Sequence, residues 1–188
     1  EYGWGDIAEM SEVGSTDQVA VVAQYDTLDA VEYTPRFYID GSGPTGQLIE
    51  KIPSVNTGDP RNLTDFIVWA MTRYPAERYA LILWSHGTGW MEEDIYARYG
   101  KRVERAVRGG ETRAGGMGER LLRHALFLTT AGEIMSIEDD DIRAICYDDS
   151  SMDFLDNQNL ATAFSDAEAQ TGQRLSVLGM DACLMSTI

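Results

Sequence analysis

The chain has 188 residues, 44% of them hydrophobic, and carries 31 acidic against 15 basic residues for a formal net charge of −16. That is enough apolar material for one globular core, while the acid excess argues against nucleic acid and anionic membrane as partners. No run reaches the ~18 apolar residues of a membrane span, and two cysteines outside any CxxC pair, Cys146 and Cys183, argue against a disulfide framework or structural zinc.

Taken in order, Val19 to Tyr25 reads as a buried strand ending at Asp26, and Arg36 to Ile39 as a second. Gly41 to Gly46 is a turn, and Gln47 to Ile52 a short hairpin arm. A helix start follows: Asp59 suits the N-cap and Pro60 the first helical position. Leu63, Phe66, Ile67, Ala70, Met71 and Tyr74 recur at helical spacing until Pro75 stops them. Tyr79 to Trp84 is the next strand. Strand, helix and strand in succession predict a parallel crossover, hence an α/β fold with a mostly parallel sheet and helices on both faces.

The middle is less regular. Eight basic residues and three acidic ones fall between Ala97 and His124, an isolated basic island in an acidic chain. Residues 98–118 include Gly109-Gly110 and Gly115-Gly116 among charged residues and read as a mobile basic loop. Gly118 to Ala131 has helical spacing, with His124 on its face. Arg143 to Tyr147 is a short strand stopped by Asp148-Asp149-Ser150-Ser151, Asn157 to Thr171 a helix, and Leu175 to Met180 the last strand, leading into Asp181-Ala182-Cys183. Cys146, Trp69, Trp84 and Trp90 read as packing residues. Residue 1 is Glu, and the chain stops five residues past Cys183, directly after an apolar run. Both ends read as cut, and the C-terminal part of the fold is expected beyond Ile188. The whole of 1–188 reads as a single domain.

Loops at the carboxyl ends of parallel strands gather on one edge, where ligands bind. His86, in Ser85-His86-Gly87, follows one such strand and Cys183 ends another. A thiol and an imidazole on that edge suit nucleophilic catalysis, although a lone cysteine is ordinarily an inert buried residue. Residues two apart in an extended chain share a face, so Asp181 belongs beside Cys183. A carboxylate there raises the pKa of the thiol, a cost that makes sense if Asp181 binds a positive substrate group.

The segments "LTDFIVWAMTRYPAERYALILWSHGTGW", "RAICYDDSS" and "LGMDACLM" resemble the clostripain-type cysteine peptidases, relatives of caspases, gingipains and legumains. The likeness runs from "EMSEVGSTDQVAVVAQYD" to the C-terminus and is most specific in "SHGTGW" and "GMDACLM". It implies a caspase-like three-layer α/β sandwich and an endopeptidase acting on polypeptides with basic residues, cutting after Arg or Lys. It carries the catalytic histidine onto His86, the nucleophile onto Cys183, the oxyanion-binding N–H groups onto Gly87 and Cys183, and the pocket for the basic side chain onto Asp181. It also implies maturation by self-cleavage in the basic loop, with Lys101 and Arg102 as the candidate sites, and is compatible with a secreted or cell-envelope setting. Calcium is a cofactor of some such enzymes, and the acidic runs Glu138 to Asp141 and Asp148-Asp149 are its candidate ligands here, although neither has EF-hand spacing. Two alternatives stand beside this reading: a catalytically silent caspase-like binding module, and a peptidase of the same family with a different preference.

Overall fold

The computed structural model describes residues 2–26, 32–85, 145–148, 150, 151 and 153–182. The chain divides into two compact units, one of residues 1–55 and 64–77 and the other of residues 56–63 and 78–188.

The first unit opens on α1 (Tyr2–Val13), which the sequence did not announce. It buries Ile7 against Phe37 and Ile39, with Val21, Ala23 and Tyr25 packed around them. Trp4 meets Tyr25 and Phe37 edge to face. Three strands follow: β1 (Val22–Gln24), β2 (Tyr33–Tyr38) and β3 (Gln47–Pro53). They form an antiparallel sheet in the order β1-β2-β3. This corrects the expectation of a mostly parallel sheet for this part of the chain. An uninterrupted apolar run such as Val19 to Ala23 normally marks a parallel strand buried on both faces, but here the partner is the next strand in sequence. β1 is also shorter than the run, because the Ser15 hydroxyl accepts from Val21 N (2.8 Å) and takes that amide out of any ladder.

β2 carries Pro35, yet it is the central strand. The proline carbonyl accepts from Tyr25 N (3.1 Å), just past the end of β1, so its missing N–H falls where that ladder is already ending. Arg36, only 3% exposed, is the polar centre of the unit. Its guanidinium donates to Gln24 of β1, Glu50 of β3 and Asp65 of the following helix, and it lies 4.9 Å from the centre of the Trp69 ring. A buried charge needs this full set of partners.

Helix α2 (Pro60–Arg73) begins as its sequence requires: the Asp59 carboxylate accepts from Arg61 N (2.9 Å), and Pro60 occupies the first turn. Leu63, Ile67 and Met71 form its buried stripe, and the helix ends at Arg73 before Pro75.

The second unit is organised by two parallel strands, β4 (Ala80–Ser85) and β7 (Val177–Ala182). Between them in sequence lie β5 (Ile145–Asp148), β6 (Asp153–Leu155) and helix α3 (Asn157–Thr171). β5 and β6 pair antiparallel as a tight hairpin that buries Phe154 and Leu155. The predicted limits of α3 hold. Asp156 and Asn159 close a reciprocal capping box at its start, and Gly172 ends it in the left-handed conformation. Leu160, Ala163 and Ala167 are its buried face.

Residues 56–63 are fastened to the β5–β6 hairpin. Asn56 Nδ2 donates to Asp153 (2.8 Å) and Thr57 N to Asp148 (2.8 Å). Gly58 lies so close that a Cβ there would stand 2.4 Å from the Phe154 amide nitrogen.

Candidate active site at the ends of two parallel strands

The pairing of β4 with β7 is continuous: Ala80 with Val177, Leu81 with Leu178, Ile82 with Gly179, Leu83 with Met180, Trp84 with Asp181, and Ser85 with Ala182. The ladder opens where Tyr79 O accepts from Ser176 N (2.7 Å) and Val177 N (3.2 Å). Both strands therefore reach their carboxyl ends in step. The residues next in sequence after the last pair are His86 and Cys183. These two, with Gly87 and the processing candidates Lys101 and Arg102, lie outside the described residues.

Asp181 is described, and it is exposed. Among the described residues nothing hydrogen-bonds to or ion-pairs with its carboxylate, so its charge is not spent on a neighbouring strand or cap. Directly paired residues of parallel strands share a face. Trp84 therefore lies beside Asp181, with Ile82 one step below. Leu81 and Leu83 point the other way and are each 6% exposed, whereas Ile82 is 59% and Trp84 46% exposed. This corrects the reading of Trp84 as a packing residue. Trp69 does pack, against Phe66 and the Arg36 guanidinium. Four apolar residues in a row, Leu81 to Trp84, hid the alternation, and only the register reveals which of them face Asp181.

Cys146, the other cysteine, has a different character. It is partly buried at an irregularity of β5, with a positive φ of 56°, and burial pushes its thiol up to about 12. A thiol so perturbed stays protonated at neutral pH, which makes it a poor nucleophile.

Asp148, the first acid of Asp148-Asp149, has its carboxylate engaged by hydrogen bonds within the protein. It is buried, and its carboxylate accepts from Ser150 Oγ (2.6 Å), Ser151 N (2.9 Å) and Thr57 N (2.8 Å). Burial pushes the carboxyl up, but the hydrogen bonds from Ser150, Ser151 and Thr57 outweigh it and hold the group below its ordinary range. Both oxygens face donors, which is a poor fit for calcium. Asp149 and Glu138 to Asp141 lie outside the described residues, and among those described no three His, Cys, Asp or Glu side chains gather as a metal site.

A histidine and a cysteine thus follow, in sequence, the last paired positions of two adjoining parallel strands. A family model described as the clostripain family matches residues 1–104 and 125–188, and the chain belongs to that family. Membership implies a cysteine peptidase, a hydrolase whose substrates are polypeptides. The match is interrupted over residues 105–124, within the basic island. No curated protein and no solved structure matches the chain.

Proposed function

We propose that this chain is a cysteine endopeptidase of caspase-like architecture that cuts after Arg or Lys, using Cys183 as nucleophile and His86 as proton donor. The observation that carries the reading is the register of β4 on β7. Ser85 and Ala182 are paired, neighbouring strands lie about 4.8 Å apart, and each next Cα is about 3.8 Å further along the chain. That register supports the reading, because His86 and Cys183 are the next residues in sequence after the last pair and need no long connection to meet.

The chemistry follows from those groups. The Cys183 thiolate attacks the scissile carbonyl and forms the C–S bond of a tetrahedral intermediate. The N–H groups of Gly87 and Cys183 stabilise its oxyanion, each such donor being worth roughly 10²–10³ in rate. The intermediate collapses with cleavage of the C–N bond, and His86 delivers a proton to the departing amine. Water then releases the acyl group and regenerates the thiol. Asp181, exposed and unspent among the described residues, takes the positive side chain on the acyl side of the cut. Self-cleavage at Lys101 or Arg102 opens the cleft.

The test is hydrolysis of matched fluorogenic peptides ending in Arg, Lys or Asp by wild type, Cys183→Ala and Asp181→Ala, in reductant, with and without calcium. Cleavage after basic residues that vanishes in Cys183→Ala and collapses in Asp181→Ala supports nucleophile and pocket together. A folded wild-type protein with no turnover on any peptide leaves only the silent binding module. Nicking of Cys183→Ala near Lys101 and Arg102 as fast as wild type overturns the self-cleavage part.

A further inference from the structure

Trp84 has a position that packing does not explain. It is directly paired with Asp181 on the outward face of the β4–β7 ladder, with nearly half of its surface exposed. Among the described residues its ring stacks on no other aromatic ring and lies under no cation. One step lower on the same face, Ile82 leans over Gly179, where a Cβ would come within 2.5 Å of Ile82 Cδ1. Glycine at 179 thus lets the isoleucine fill the floor beneath the tryptophan and the aspartate. Side by side the face offers an apolar floor, an aromatic plane and an unspent carboxylate.

Those three surfaces match one side chain better than any other. An arginine has an aliphatic stem for the Ile82 floor. Its guanidinium is planar and weakly hydrated, so it stacks on an indole while its N–H fork engages a carboxylate. A lysine ammonium is a compact, strongly hydrated charge that satisfies the carboxylate but gains less from the ring. Resting on the peptidase reading above, we infer that Trp84 is a specificity-determining residue that selects Arg over Lys beside Asp181.

The test measures kcat/KM for two fluorogenic peptides that differ only in ending with Arg or Lys, using full-length wild-type protein, Trp84→Leu and Trp84→Phe. Loss of the indole is expected to lower the Arg-to-Lys ratio about tenfold, the scale of a partly desolvated cation–π contact. Trp84→Phe keeps a ring and should restore most of the ratio. A merely structural role would lower both substrates together and leave the ratio alone. Wild-type turnover with a ratio unchanged in Trp84→Leu overturns this inference and spares the peptidase reading. Absence of wild-type turnover on either peptide removes that reading and this inference with it.

Discussion

Asp148→Asn should destabilise the protein strongly at neutral pH and hardly at all in acid. The carboxylate is buried and accepts three hydrogen bonds, from Ser150 Oγ and Ser151 N on one oxygen and from Thr57 N on the other. Asparagine keeps one acceptor oxygen and turns the other into an NH2 group facing a donor. Hydrogen bonds to a charged group contribute about 1.5–3 kcal/mol each and neutral ones about 1 kcal/mol. One bond lost and two weakened give about 3–7 kcal/mol. For a chain of this size that lowers Tm by about 10–20 °C. The pH dependence has a definite sign. The carboxyl lies below its ordinary value in the folded protein, so its contribution is present above the unfolded pKa of about 3.9 and is lost as pH falls through the folded pKa. The gap between the calorimetric melts of wild type and variant should therefore begin to narrow as pH falls below about 4 and close only below the folded pKa. Melts within about 2 °C of each other at pH 7, or a gap that persists undiminished in acid, would refute the account of Asp148 as the clasp between Thr57 and the β5–β6 hairpin.

Gly58→Ala should cost about 3 kcal/mol, because the new Cβ would meet backbone atoms at 2.4 and 2.6 Å that cannot step aside. Gly43→Ala, where a Cβ has nothing within 4 Å, should stay within about 0.5 kcal/mol of wild type in denaturant titration. The Cys146 thiol, pushed up to about 12 by burial, has a thiolate fraction below about 10⁻⁴ at pH 7.5. Cys183→Ala protein should accordingly resist iodoacetamide until it is unfolded, and mass spectrometry then shows one alkylation.

Much of the site-bearing part of the chain was legible because its signals are local. Asp59 and Pro60 start α2 through capping and a preset φ, and Leu160, Ala163 and Ala167 recur at helical spacing along α3. The strands at Tyr79 to Trp84 and Leu175 to Met180 announced themselves by apolar runs, and Asp181 by its place two residues before Cys183. What stayed hidden depends on partners distant in sequence. α1 has Gly3, Gly5 and Ser11 within it and no strong apolar stripe; its burial of Ile7 comes from Phe37 and Ile39. The antiparallel direction of β1 on β2 is set by the next strand, and an apolar run reads alike in either direction. β6 is three residues long, too short for any period to show. Trp84 needed the register: Leu81 to Trp84 is apolar throughout, and only the pairing shows that Trp84 shares a face with Asp181.

The dyad is the centre of the account, and covalent capture tests it most directly. Full-length protein treated with an arginyl chloromethyl ketone in reductant would be digested and the adduct mapped, alongside His86→Ala and a sample protected by an arginine-ending peptide substrate. The account predicts one adduct, on Cys183, suppressed by the substrate and by His86→Ala, with Cys146 unmodified. A folded protein that carries no adduct, or carries it on Cys146, contradicts it.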